Sequence, residues 1–428
     1  MSKITKQDVV DWANKYLGPE SYAIIYKREG KDPDEQKIAA PKITPIVTNR
    51  DSQSEFLSEI QTSQVQPIEP VFVDYKKDMS QFEAQPGIDV LYKKNETNDI
   101  FTLIYVFNTG TENDPALNLA FNYLSYLGTD KMTAEEIASE MYDIACSFYM
   151  NAGANQSSIQ ITGLSENMGK AMEIVEGLIA GAKPDEAILE NLKGDMLKSR
   201  ADAKLNQSRC FGALQRYLFY GGDFIRRTTL TDPALQALTS EQLLAKIGGL
   251  MGKQHEVLYY GPQKEAEVKS ALAKHHKVAA DLQPLEKKFS TLLPTDANKV
   301  VLAQYDAKQL YYLQFSNRGE KFDVAADPEI TLYNEYFGGG MNTIVFQEMR
   351  EARGLAYTAW ATLATPSNAN GDYSYYAFIA TQNDKMQKAV EAFDDIINNM
   401  PESEKAFGIA KEALVSRLRT ERTVKDGV

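Results

Sequence analysis

Two side chains in the stretch FQEMREARGLAYTAWA, residues 346–361, could stabilise negative charge on a peptide carbonyl. They are Arg350 and Tyr357, which lie seven positions apart with Gly354 between them. On an unbroken helix they would share a face, whereas a helix end at Gly354 would place Tyr357 on a following strand. A guanidinium and a phenol that converge on a cavity can hold a carbonyl oxygen and the oxyanion it becomes. A surface arginine and a core tyrosine remain the alternative.

A catalytic zinc site within this chain is not expected. Such a site needs two helical histidines one turn apart and a neighbouring carboxylate that deprotonates the bound water. The sequence has only His255, His275 and His276. The adjacent pair would point about 100° apart on a helix, and His255 lies in or beside a predicted strand.

Composition excludes two further classes of partner. The 46 basic and 59 acidic residues give a net charge of -13 without a basic stripe, which argues against binding to nucleic acid or to an anionic membrane. No apolar run approaches the roughly 18 residues of a membrane span.

Residues 338–340 are three glycines, but no Gly-Lys-Ser/Thr follows them. They therefore predict a helix end with close backbone packing and not a phosphate-binding loop.

The elements that would position Arg350 and Tyr357 occur twice along the chain. Strand-like runs, FTLIYVFNTG at 101–110 and LYYLQFSNRG at 310–319, each precede an Asp-Pro step that favours a helix start. A Glu-Met pair follows in both copies, with a tyrosine eight positions after the methionine: Met141 with Tyr149, and Met349 with Tyr357. Ordered matches of this kind predict an internal duplication.

The N-terminal segment also has a counterpart inside the first copy. ITKQDVVDWANKYLGPESYAIIY aligns with the ending LTSEQLLAKIGGLMGKQHEVLYYGP, so that Thr5 falls on Thr239 and Asp8 on Gln242. The sequence is therefore expected to be a window of a longer polypeptide, opening with the tail of one repeat and stopping inside another. The proline-rich, polar stretch 30–74 predicts an irregular linker, with room for a short helix around Ser54 to Ile60.

The expected fold class is α+β. The segment YKKNETNDIFTLIYVF, with residues 95–99 in the turn, is typical of a β-hairpin and favours antiparallel pairing. We therefore expect two homologous sandwich domains, each a mostly antiparallel sheet with helices packed on one face.

The stretch EYFGGGMNTIVFQEMREARGLAYTAWA resembles the pitrilysin/insulinase-like zinc metallopeptidases, the inverzincins, in their non-catalytic C-terminal half. The likeness is carried by the glycine-rich turn, Phe346-Gln347-Glu348, Arg350 and 354–357, and it extends over essentially the whole chain. It implies four homologous α+β domains in two halves, joined by a long linker, that close around a peptide. This chain then comprises the tail of a preceding repeat (1–29), the linker (30–74), a complete but inactive third domain (75–262), a connection (263–288) and a truncated fourth domain (289–428).

The resemblance also implies how chemistry is divided between the halves. Where the family's active domain carries His-x-x-Glu-His, this chain has Leu119, Asn122 and Tyr123, so the zinc ligands and the general base are absent. Arg350 and Tyr357 match the Arg and Tyr that the family's C-terminal half adds to the catalytic chamber. The full-length protein is then a zinc-dependent peptidase whose N-terminal half and peptide substrate are this portion's partners, and this fragment alone is predicted to be inactive and free of bound metal.

A different class of function is compatible with the same residues. The chain could be a structural or binding subunit, similar to the inactive partners of processing peptidases or to core proteins of respiratory complexes. A His-x-x-Glu-His upstream in the same polypeptide would favour the enzyme. The sequence leaves the compartment undetermined, and a bacterial periplasm is slightly favoured over the cytoplasm.

Overall fold

The computed structural model describes residues 3–18, 22–27, 30, 54–64, 66–285 and 290–423. Contacts divide the chain into two units, 1–66 and 67–428. Most of the predicted linker, residues 31–53, lies outside the described residues, and the predicted domain boundaries stay predictions. Within the described part of the chain, no helix is both long and apolar enough to cross a membrane.

The smaller unit contains two helices, α1 (Lys6–Tyr16) and α2 (Glu55–Thr62). Helix α2 forms in the segment around Ser54 to Ile60, where the sequence analysis allowed a short helix. Helix α1 begins with a capping box, in which Thr5 and Asp8 each accept a hydrogen bond from the other's backbone N–H. None of its residues is buried within the described structure.

The first of two α+β sandwiches in the larger unit is built on six strands. The strands are β1 (Ser80–Gln85), β2 (Ile88–Lys94), β3 (Ile100–Phe107), β4 (Cys146–Ala152), β5 (Ser157–Leu164) and β6 (His255–Gly261). Its helices are α3 (Leu117–Leu124), α4 (Ala134–Asp143), α5 (Met168–Gly181), α6 (Glu186–Lys204), α7 (Gln207–Thr228), α8 (Asp232–Ala237), α9 (Ser240–Leu250) and α10 (Glu265–His275). Helix α9 starts with a capping box of Thr239 and Gln242, the residues on which Thr5 and Asp8 align.

The core of this sandwich follows from alternation along its strands. Phe101, Leu103, Tyr105 and Phe107 of β3 are fully buried, as period-two alternation requires of residues on one face. The apolar stripe along α5 is buried in the same hydrophobic cluster and consists of Met168, Ala171, Met172, Val175, Leu178 and Ile179. The helices therefore cover one face of a sheet in which only β2 and β6 pair in parallel.

The predicted hairpin between β2 and β3 is wrong. The sheet order is β1-β2-β6-β3-β5-β4, so β6 lies between the two strands that the sequence suggested would pair. Residues 95–99 reverse the chain, but Asn95 hydrogen-bonds through its backbone N–H to Gly261 at the end of β6. A strand more than 150 residues later in the sequence thus takes the central position, which local turn signals cannot reveal.

The second sandwich has three strands, β7 (Gln309–Ser316), β8 (Thr358–Ala364) and β9 (Ser374–Gln382), all paired antiparallel in the order β7-β9-β8. Its helices are α11 (Asp327–Phe337), α12 (Ile344–Phe346), α13 (Met386–Asn398) and α14 (Glu404–Thr420). This order reproduces β3-β5-β4 of the first sheet. The expected fold class, two related α+β sandwiches with mostly antiparallel sheets, is confirmed.

Both faces of the second sheet are covered. Tyr312, Ala377 and Ile379 belong to or pack against the core under the helices of this sandwich. On the opposite face, Phe211 of α7 contacts the rings of Tyr311 and Phe378. Helix α7 of the first sandwich therefore serves as a second layer on this sheet, and joins the two sandwiches through aromatic contacts.

Candidate functional site

Arg350 and Tyr357 lie side by side at the surface of the second sandwich. The guanidinium carbon of Arg350 is 5.0 Å from the centroid of the Tyr357 ring, within cation–π range. Tyr357 is 70% exposed to solvent. The structure thus brings together the two predicted site residues.

The pair meets because the helix ends before Tyr357. Helix α12 continues as a π-helical turn over Gln347–Ala352, and Gly354 then adopts a positive φ of 57°, a conformation that glycine adopts without strain. The Tyr357 N–H donates to Ala380 of β9, which fixes it at the entrance to β8. Of the two arrangements that the sequence left open, the structure has the strand and not the continuous helix.

The sequence match between Tyr149 and Tyr357 does not correspond to equivalent positions in the sheets. With β3 laid on β7, the strand registers place Ser147 on Thr358, so Cys146 and not Tyr149 corresponds to Tyr357. Five residues lead from Met141 to Cys146, whereas eight lead from the equivalent Met349 to Tyr357. The longer connection, with its π-helical turn, exposes Tyr357, whereas Cys146 is buried.

Charged neighbours leave the Arg350 guanidinium largely available. Among the described residues its one ion-pair partner is Glu351, at 3.7 Å, and both side chains are about two-fifths exposed, so the pair contributes little. The nearby Arg353 is engaged by Glu348 and Asp395 at 3.5 and 3.4 Å. Because Arg353 compensates the charge of those two carboxylates, Arg350 is the cation that remains beside Tyr357.

The outer edge of β8 is held by the end of α11. The Asn334 amide donates to the Leu363 carbonyl and accepts from the Leu363 N–H, each at 2.9 Å. The Gly338 carbonyl accepts from the Ala361 N–H at 3.1 Å. A Cβ at Gly338 would stand 1.9 Å from the Ala361 oxygen, which confirms close backbone packing as the reason for glycine there.

We expect Gly338→Ala to destabilise the second sandwich by about 2 kcal/mol, the scale of overpacking. The added methyl group must push β8 away, because the atom it meets is backbone. Gly340→Ala is the matched control, since its Cβ would meet no atom within 4 Å. Chemical denaturation followed by the fluorescence of Trp360 in β8 measures both variants. Equal midpoints for the two would refute this explanation.

The described residues do not form a zinc site. No group of three potential ligands among His, Cys, Asp and Glu is present in that part of the chain. His255 and His276 are buried, but their Nε2 atoms are 2.9 Å apart and hydrogen-bonded to each other. At the position expected from the family motif, Leu119 and Tyr123 are buried core residues, and the Tyr123 hydroxyl bonds to Ser240. These residues do not fit a bound zinc ion.

Comparison with known proteins gives a match to a peptidase domain over part of the chain. Residues 253–414, from just before β6 into α14, match the model described as the inactive domain of M16 peptidases. An uncharacterized zinc protease of Streptomyces coelicolor is 22% identical over 266 residues, which cover 58% of this chain and 56% of that protein. The chain therefore spans little more than half the length of that relative.

Solved structures share the fold. The M16 peptidase inactive domain from Pseudomonas fluorescens superposes with a TM-score of 0.62 at 17% identity, covering 80% of this chain and 85% of that one. The periplasmic protease PqqL from Escherichia coli gives 0.65 at 13% identity, covering 97% of this chain and 44% of that one. Residues 253–414 thus match the inactive domain of M16 peptidases, and the fold of the chain is similar to that of solved M16 structures.

Proposed function

We propose that this chain is the non-catalytic half of a zinc-dependent peptidase, which encloses a peptide and supplies Arg350 and Tyr357 to the active site. The observation that carries the proposal is the adjacency of these two side chains, with the Tyr357 ring 5.0 Å from the guanidinium. Both are hydrogen-bond donors, and both are accessible from solvent. The relationship to proteins named zinc proteases supports the reaction class.

Within that reaction, Arg350 and Tyr357 would act on the scissile carbonyl. The guanidinium would donate to the carbonyl oxygen and compensate its growing negative charge, while the Tyr357 hydroxyl would donate to the same oxyanion. The proposal assigns the zinc ion, and the water that it would activate, to the catalytic half. The two donors would thus stabilise the negative charge that develops on that oxygen.

The smaller unit supports the proposal that residues 1–29 complete a preceding domain. Helix α1 begins with the same type of capping box as α9. However, Val9 and Tyr16 are at least half exposed, whereas the residues aligned with them, Leu243 and Leu250, are buried. Residues 22–27, aligned with β6, are exposed and form no strand. An apolar helix face and a strand-like segment of this type are expected to pack on a further sheet, which we assign to the N-terminal half of the polypeptide.

The proposal predicts that the 428-residue chain alone binds no stoichiometric zinc and cleaves no peptide. Atomic absorption after dialysis against zinc measures the first, and a quenched fluorescent peptide library measures the second. Linked to a catalytic half that carries His-x-x-Glu-His, the same chain should support hydrolysis. One tightly bound zinc per isolated chain would contradict the assignment, and a zinc-loaded complete protein without hydrolysis would favour the binding-subunit alternative.

By the same proposal, the working compartment is a bacterial periplasm. The supporting observation is the fold shared with the periplasmic protease PqqL. Fractionation of the native host with an antibody to this chain tests it.

A further inference from the structure

The Arg350 guanidinium contacts a second aromatic ring. Its central carbon lies 4.9 Å from the centroid of Phe346 and 5.0 Å from that of Tyr357. Both distances are within the roughly 6 Å range of a cation–π contact. Phe346 comes from the turn before Arg350, and Tyr357 arrives after the chain reverses at Gly354. Two separate chain segments therefore supply rings to one cation.

Packing in the hydrophobic core does not explain Phe346. Ile344, Val345 and Met349 of the same helical segment are buried in the second core. Phe346 is half-buried and belongs neither to that core nor to the residues packed against it. Helical periodicity puts Phe346 and Arg350 together on a different face from Val345 and Met349. The Phe346 ring has a cation–π contact with Arg350.

We propose that Phe346 is a positioning residue, whose ring holds the Arg350 guanidinium beside Tyr357 so that both side chains donate to one substrate oxygen. An exposed arginine samples many rotamers, and ordering them on binding costs entropy. A ring that restricts the guanidinium beforehand lowers that cost and raises the fraction of molecules with both donors in place. The inference rests on the proposed function, because it assumes that Arg350 and Tyr357 act together.

The first test needs no activity and uses this chain with isotopically labelled arginine. In NMR spectra, ring currents should displace the Arg350 side-chain protons upfield; the signal is assigned by its loss in Arg350→Ala. Phe346→Leu should reduce the displacement and increase side-chain mobility, while Phe346→Tyr should retain both values. Phe82→Leu is the matched control, because Phe82 contacts a cation, Lys269, in the first sandwich. An unchanged Arg350 signal in Phe346→Leu overturns the proposal.

The second test is a double-mutant cycle in the complete peptidase. Phe346→Leu should lower turnover about tenfold by misplacing the guanidinium, with KM changed much less. In an Arg350→Ala background the same substitution should have almost no effect, because nothing remains to be positioned. A full additional loss in that background overturns the proposal. Wild-type turnover of Arg350→Ala would instead refute the proposed function, and the NMR result would still decide whether Phe346 orders Arg350.

Discussion

Replacing Tyr357 with phenylalanine is expected to lower the turnover of the complete peptidase by about 10²-fold, the scale for losing one oxyanion donor. The substitution removes only the hydroxyl, so the ring and its contact with Arg350, at 5.0 Å, should persist. Zinc content should not change, because the proposal places the zinc ligands in the other half of the protein. Steady-state kinetics on a peptide substrate and metal analysis on the same preparation measure the two expectations.

The chain offers a matched control for this experiment in Tyr149→Phe. Tyr149 is 64% exposed in an edge strand of the first sandwich, and Tyr357 is 70% exposed at the start of an edge strand in the second. The two tyrosines look equivalent in the sequence but not in the strand registers. Tyr149→Phe should therefore leave turnover unchanged. Equal turnover in Tyr357→Phe and wild type would reduce Tyr357 to a surface tyrosine without a catalytic part.

The juxtaposition of the candidate pair could be anticipated only in part. Residue types and spacing singled out Arg350 and Tyr357, and Gly354 marked the point where the helix could end. The π-helical turn and the three additional residues before Tyr357 left no recognisable signal. They become visible only when the hydrogen-bond registers of the two sheets are compared. Phe346 was part of the recognised stretch, but its contact with Arg350 depends on side-chain packing that spacing does not encode.

The fold shows the same division between local and distant information. The two Asp-Pro steps are local signals, and the helices that they predicted, α3 and α11, are present. The central position of β6 is set by contacts between residues far apart in the chain, so the hairpin signal at 95–99 suggested the wrong neighbour. The second layer formed by α7 on the second sheet depends on Phe211 and Phe219, which the sequence did not distinguish from other helical aromatics.

A buried polar network in the first sandwich was not predicted from the sequence, because the two histidines that form it, His255 and His276, lie 21 positions apart. His255 Nδ1 lies 2.8 Å from the Lys253 carbonyl and must donate to it. Its Nε2 therefore accepts from His276 Nε2, at 2.9 Å. The other nitrogen of His276, Nδ1, is 2.7 Å from Glu176, which also accepts from the Tyr105 hydroxyl and the Lys277 N–H. To accept this hydrogen bond from His276, His255 must stay neutral.

Protonation of His255 would put two N–H donors opposite each other, because His276 already donates to His255 Nε2. Burial is the main reason that the pKa of His255 falls from 6.5 to about 4, and the neighbouring His276 lowers it further against the opposing effects of Lys253 and Glu176. Between pH 6.5 and about 4, His255 binds a proton in the unfolded chain but not in the folded chain. Stability from neutral His255 is therefore complete above about pH 6.5 and is lost as the pH falls toward 4.

We expect the first sandwich to lose about 2 to 3 kcal/mol of stability between pH 7 and pH 4.5 through this residue. His255→Gln should remove that loss, because the amide can still donate to Lys253 and accept from His276 without titrating. Hydrogen exchange of the β6 amides reports the opening free energy of this sandwich at each pH. His275→Gln is the control: His275 pairs with Glu173 at 3.1 Å outside the network, so the wild-type pH dependence should remain. If His255→Gln showed the same acid loss as wild type, His255 would not be the titrating group, and the carboxylates of the sandwich would have to account for it.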